Sequence, residues 1–294
     1  TEMEAQLKEE YTEAGYTSEF NADFGELEEG TFKKKYIDPS LRNYDCTFNG
    51  PERGRTYVLG VDWNKSAGNH MVICEIEGGM ITMRKKIITP ESEFMHTKAV
   101  EDITLLHRMW NFKYIFVDAG YGHTNVELLK KWGLENPASG MLKALHAVYM
   151  NEDIEVKDPI NGEAVRRRAK PYIVEQTVKL LEDGCLILPS SEDYGHVGEG
   201  LSDIGLVEQM RNFRIERYSV YNLPTYSQGQ DHTLTAYMLC CAMWVNKEGP
   251  LKDPRYSNKV WNIPTATTQE IPLTPTEKEM LKTMEKNKFI RSSV

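Results

Sequence analysis

The stretch Thr56-Tyr57-Val58-Leu59-Gly60-Val61-Asp62-Trp63-Asn64 decides how this chain is read. It is apolar except for one carboxylate near its end, and polar, Gly-containing segments flank it: Arg53-Gly54-Arg55 before, Asn64-Lys65-Ser66-Ala67-Gly68 after. Such a run predicts a strand buried on both faces. An ionised Asp62 inside it is costly unless another charge or a metal ion offsets it.

Working outward, residues 70–77 and 80–88 read as two further strands around Gly78-Gly79, which supplies the positive φ angles of a type I′ hairpin turn. The three strands are expected to form an antiparallel meander, stopped by Pro90. Residues 91–110 carry Phe94, Ala99, Ile103, Leu106 and Trp110 at helical spacing. A second apolar strand follows, Tyr114-Ile115-Phe116-Val117-Asp118, then a Gly-rich turn at Ala119-Gly120-Tyr121-Gly122 and a helix over 125–132 stopped by Gly133. Residues 145–150 read as a short strand. The polar segment 151–168 reads as a long loop ending in the basic run Arg166-Arg167-Arg168-Ala169-Lys170. Pro171 is expected to open a helix reaching Asp183 and capped by Gly184, with a short strand at 186–188 after it. An acidic loop at 190–200, a helix at 202–212, a strand or edge hairpin at 213–223 and a strongly apolar helix from Asp231 to Trp244 complete the pattern.

The 294 residues are 40% hydrophobic and 27% charged, an ordinary globular composition. No apolar run is long enough to span a membrane, and the acidic N-terminus lacks the features of a signal peptide. A start at Thr1 is expected of a piece of a longer protein. The five cysteines form no CxxC pair, which points to structural thiols in a reducing compartment. The formal charge of −9 is uneven: of 44 acids and 35 bases, ten and one lie in residues 1–30, leaving 34 of each. The remainder is neutral, so a local basic surface can still meet phosphates. Residues 1–50 read as an acidic arm or linker (with a short helix around residues 4–13), 51–249 as the folded domain, and 250–294 as a polar, proline-punctuated tail with one exposed helix at 276–287.

Three acids share a context. Asp62 and Asp118 lie late in apolar strands, and Asp231 starts the late apolar helix. If the two strands are parallel neighbours, both carboxylates reach one spot, and the helix start can bring Asp231 there. Hard oxygen ligands of this kind suit two Mg²⁺ or Mn²⁺ ions. Each acid also has a plainer reading, Asp231 as a helix N-cap and Asp118 as a turn acid. His232, beside Asp231, either assists a metal-bound water or scissile phosphate, or faces solvent. The other histidines show no zinc spacing. Arg166, Arg167, Arg168 and Lys170 either hold a nucleic-acid backbone or form a solvated helix start. No Gly-x-x-x-x-Gly-Lys-Ser/Thr motif is present, so no nucleotide is expected in this chain.

The order of these elements resembles the ribonuclease H-like fold, a mixed α/β sheet with a three-stranded meander, parallel strands and flanking helices. Val58-Leu59-Gly60-Val61-Asp62-Trp63, Ile115-Phe116-Val117-Asp118-Ala119-Gly120 and Asp231-His232-Thr233-Leu234-Thr235-Ala236 resemble the nuclease domain of viral DNA-packaging terminase large subunits. The segment Glu19-Phe20 with Phe24 through Phe32 looks like the exit from the packaging ATPase domain of that family. The resemblance implies a metal-dependent endonuclease that cuts double-stranded viral DNA in the infected host's cytoplasm. Its implied partners are that ATPase domain, the portal and the small terminase subunit. Asp62 would bridge two metals, with Asp118 and Asp231 completing the set and the 166–170 run beside the DNA. Many terminases carry Asp-His-x-x-Asp-Ala at the last helix, whereas the second acid position here is Thr235. Either Asp231 is the ligand or the site is one acid short; Asp231 is assigned because no other acid lies on that helix before Glu248.

Other classes have distinct signatures. A junction resolvase or integrase would share the fold but not the N-terminal segment. An actin-like ATPase or sugar kinase would need glycine soon after Asp62, where Trp63-Asn64-Lys65 stands, although Asp118-Ala119-Gly120-Tyr121-Gly122 mimics a phosphate loop. A catalytically silent docking module would be indifferent to the loss of Asp62.

Overall fold

The run at 56–64 is an interior strand of a seven-stranded sheet in the computed structural model. The structure describes residues 12, 13, 16, 30–44, 46, 50–64, 67–157, 163–190, 205–220, 223–227 and 229–241. Nearly all of the acidic arm, the loop expected at 190–200 beyond Ser190, and the tail, with the helix expected at 276–287, lie outside the described residues.

In chain order the elements are α1 (Lys34–Ser40), β1 (Leu41–Arg42), β2 (Thr56–Asn64), β3 (Gly68–Glu77), β4 (Met80–Thr89), α2 (His96–Trp110), β5 (Tyr114–Asp118), α3 (Ala119–Glu135), α4 (Met141–Ala144), β6 (Leu145–Val148), β7 (Asp153–Lys157), β8 (Ala164–Arg168), α5 (Ala169–Glu182), β9 (Leu186–Pro189), α6 (Leu206–Asn212), β10 (Ile215–Tyr218), β11 (Pro224–Tyr226) and α7 (His232–Cys241). The sheet order is β1-β9-β4-β3-β2-β5-β6. β2, β3 and β4 form the expected antiparallel meander, and β2 pairs in parallel with β5, which pairs in parallel with β6. Gly78 and Gly79 turn β3 into β4 with φ of 56° and 84°, the backbone a type I′ turn demands. This is the ribonuclease H-like α/β sheet, with helices on both faces.

β2 is buried from Tyr57 to Trp63, and its alternation divides the core. Val58 joins a cluster with Phe116, Ile173, Leu234 and Leu239, on the face covered by α5, α6 and α7. Leu59, Val61 and Trp63 join Ile103, Ile115 and Leu129, on the face covered by α2 and α3. α7 is apolar all round because it lies inside the first layer, with Thr233 through Cys241 all buried. It comes close to β2 only because residue 60 is glycine: a Cβ there would collide with the Ala236 carbonyl. Phe32 and Ile37, just before and on α1, belong to this same core, and β1 pairs with β9.

Several expectations are corrected. The stretch after Asp118 is no Gly-rich turn: α3 starts at Ala119 and runs through Gly133 to Glu135. Gly122 packs against the Trp63 indole, where a Cβ would collide, and Gly133 makes room for Leu142, so both glycines serve contact and not chain reversal. Segment 151–168 is not a long loop but the antiparallel hairpin of β7 and β8, whose connecting residues 158–162 are outside the described residues. The strand or hairpin expected over 213–223 is the β10–β11 hairpin, closing at Tyr226. Among the described residues, no helix is long and apolar enough to cross a membrane.

Candidate active site

Parallel pairing of Val61 with Val117 makes Asp62 and Asp118 the next residues on adjacent strands. Alternation turns both side chains to the α7 face, following Gly60 on β2 and Phe116 on β5. Asp62 is 4% exposed, and its Oδ2 accepts a hydrogen bond from His232 Nδ1–H at 2.8 Å. Asp118 ends β5 and caps α3, its Oδ1 accepting from the Gly120 N–H at 2.9 Å. Asp118, expected either as a site acid or as a turn acid, is the N-cap of α3 and not a turn acid.

Asp231 precedes α7, and its backbone carbonyl accepts the Thr235 N–H at 2.7 Å. Its carboxylate lies 4.0 Å from the Lys170 ammonium. Burial raises the Asp118 carboxyl to about 6, with the charge of Asp62 adding to the shift and the Gly120 N–H and Lys170 opposing it. Burial likewise raises Asp231, with Asp62 adding and Lys170 and His232 opposing. Burial disfavours the charged His232 ring, but its hydrogen bond to Asp62 and the charges of Asp62 and Asp231 outweigh that and raise its pKa. These mutual effects bring the three acids, His232 and Lys170 into one electrostatic unit.

His70, the cross-strand partner of Asp62, braces this unit. Its Nδ1 is hydrogen-bonded to the Thr233 hydroxyl at 3.0 Å, its Nε2–H donates to the Ala67 carbonyl at 3.2 Å, and its ring lies 5.3 Å from that of His232. The β2–β3 register identifies His70, and the sequence gives no other signal for it. A cleft of about 290 Å³ opens beside Asp231, lined by Gln209, Asn212, Arg214, Ser227 and Gln230 among others.

The basic run does not form one patch. Strand alternation sends Arg166 and Arg168 to one side of β8 and Arg167 to the other. Arg168 pairs with Asp153 at 3.1 Å, Arg167 lies 3.9 Å from Glu175, and Arg166 faces Glu155 across the hairpin. Lys170, on α5, belongs to the acid site.

The donor set tests whether a metal fits. Carboxylate oxygens suit a hard divalent cation, and a raised Asp118 beside Asp62 is a pair that such a cation would relieve. Among the described residues, however, no three His, Cys, Asp or Glu side chains stand together as a ready ligand set. Asp62 and Asp118 form the part that fits, and Asp231 has Lys170 as its neighbour.

No protein-family model and no curated protein sequence matches the chain. Solved structures do. The large terminase nuclease from thermophilic phage G20c with bound magnesium superposes with a TM-score of 0.50 at 14% identity, over 74% of this chain and 98% of that one. The same nuclease with bound cobalt gives 0.50 at 13% identity, over 74% and 98%. The large terminase from a second thermophilic bacteriophage gives 0.55 at 10% identity, over 84% of this chain and 53% of that one, so this chain spans about half its length. The chain has the fold of phage large terminase nucleases.

Proposed function

We propose that this chain is a terminase-like nuclease domain that hydrolyses phosphodiester bonds of double-stranded DNA with divalent cations, Mg²⁺ or Mn²⁺. One observation carries the reading: on this fold, parallel register sets the buried Asp62 and the partly exposed Asp118 side by side near one strand end, each raising the cost of the other's charge. Asp62 and Asp118 would hold the cation, with Asp231 as third ligand. A bound ion supplies an activated water and stabilises the leaving oxygen. His232 orients the Asp62 carboxylate by donating from Nδ1, and the Gly120 N–H does the same for Asp118. Thr233 and His70 set the first turn of α7 so that His232 meets Asp62. Of the basic run, Arg166 and Arg168, on the side of β8 turned from the core, would flank the duplex, with Arg167 held beside Glu175. The stretch expected to mimic a phosphate loop is the first turn of α3, with Gly122 packed on Trp63, which speaks against the ATPase alternative.

The same reading takes residues 1–50 as the link from a packaging ATPase domain, 51–249 as the nuclease and 250–294 as a tail. It gives the domain a portal, a small terminase subunit and the infected host's cytoplasm as its setting. Plasmid digestion with Mn²⁺ or Mg²⁺ tests the activity. Wild type is expected to nick and linearise the plasmid, and Asp62→Ala, Asp118→Ala and Asp231→Ala to lose this. Activity surviving in Asp231→Ala would remove only the third ligand from the account.

A further inference from the structure

Lys170 leaves its basic neighbours. The three arginines lie on β8, whereas Lys170 is the second residue of α5 and reaches the acids. Its backbone N–H donates to the Met150 carbonyl at 3.1 Å, and that of Ala169 to the Glu152 carbonyl at 2.9 Å, so the stem is rooted where two segments are tied together. Its Nζ stands 4.0 Å from Asp231 Oδ2 and 5.8 Å from the centre of the Tyr226 ring. Its charge is also felt by Asp118 and His232.

Two features distinguish this contact from a structural ion pair. The separation is at the outer limit of an ion pair, in contrast to the 2.9 Å between Arg84 and the buried Glu75. The Lys170 side chain is 36% exposed, and a four-carbon stem can carry its ammonium elsewhere at small cost. A divalent ion taken up by Asp231 together with Asp62 and Asp118 would compete with this ammonium for the same carboxylate. A phosphodiester reaching the same site brings the negative charge that a released ammonium needs.

We propose that Lys170 is the exchangeable cation of the site: it neutralises Asp231 in the metal-free protein, yields that carboxylate to a divalent ion, and then pairs with a non-bridging oxygen of the DNA phosphate. The exchange at Asp231 concerns the metal alone, while the phosphate contact rests on the nuclease reading.

Calorimetric titration of Mn²⁺ into the full chain without DNA tests the exchange. Lys170→Met removes the competing charge and is expected to tighten Mn²⁺ binding about tenfold, the scale on which groups touching a metal ligand act. Lys170→Arg keeps the charge and is expected to stay near wild type. Lys170→Gln serves as a second neutral variant, and unfolding midpoints check that each protein is folded. Cleavage at saturating DNA and Mn²⁺ tests the second half: kcat falls about tenfold in Lys170→Met with KM little changed. Mn²⁺ affinity in both neutral variants equal to or weaker than wild type would overturn the proposal. Tighter Mn²⁺ binding in a protein whose wild type cuts no DNA would sink the nuclease reading and leave the exchange at Asp231 standing.

Discussion

Asp62 and Glu75 are buried carboxylates on adjacent strands of one sheet, and they meet the same physical demand in opposite ways. Glu75 is 2% exposed, with the Arg84 guanidinium at 2.9 Å and that of Arg55 at 3.5 Å. Two guanidiniums meet this carboxylate, that of Arg55 being shared with Glu77 and Glu52. Asp62 is 4% exposed; His232 touches it, Asp118 follows on the adjacent strand, and Asp231 feels its charge. Burying an excess of negative charge costs stability, and such arrangements concentrate where a site is built to take up a cation. A buried carboxylate alone does not mark a site; what marks Asp62 is an imidazole in place of a guanidinium at its oxygen and a second aspartate beside it on the next strand.

That contrast yields a graded set of expectations. The largest is functional. Asp62→Ala and Asp118→Ala should lower the DNA cleavage rate by at least about 100-fold, the scale of removing one electrostatic group from a reacting centre. Their folds should persist by circular dichroism. Glu75→Gln should do the reverse: cleavage stays at the wild-type rate, and denaturant unfolding shows a loss of about 2 kcal/mol, because its charge-assisted bonds to partly exposed arginines weaken. Equal damage to activity from both substitutions would erase the distinction.

A smaller effect concerns pH. The Asp118 carboxyl moves from 3.8 in the unfolded chain to about 6 in the fold. Between those values the folded protein retains a proton that the unfolded chain has released. Stability of the metal-free protein should therefore fall as pH rises from about 4 to about 6, by roughly 1–2 kcal/mol given the partial exposure of Asp118, and this contribution should stay constant above that. Asp118→Asn should flatten the dependence in a urea titration series with chelator present. The smallest effect belongs to the hairpin. Arg166→Ala should weaken DNA binding a few-fold and lower the salt slope by about 1, with kcat at saturating DNA unchanged.

Much of this was legible in the residues. The apolar run around Asp62, the Gly78-Gly79 turn and the second run ending in Asp118 gave the meander and its parallel neighbour, because burial patterns and positive φ are local properties. Other features depend on register. Glu75 meets Arg84 and Arg55 through strand pairing, and neither the hairpin turn nor the alternation shows that a glutamate within β3 is buried. His70 falls opposite Asp62 for the same reason. Lys170 read as one with the arginines because they are contiguous, yet the change from strand to helix at Ala169 separates them. Gly122 and Gly133 read as breakers because glycine's use in close packing leaves the same local signature as its use in turns. The polar ribbon of β7 and β8 read as loop because, of its two sides, only the one bearing Ile154, Val156 and Val165 meets the core.

The most direct test of the central claim sets the two carboxylates against each other in one assay: plasmid cleavage in Mn²⁺ by wild type, Asp62→Ala and Glu75→Gln, at matched folded concentration. Cleavage by wild type and Glu75→Gln, with none by Asp62→Ala, is the expected result. Undiminished cleavage by Asp62→Ala would contradict the account.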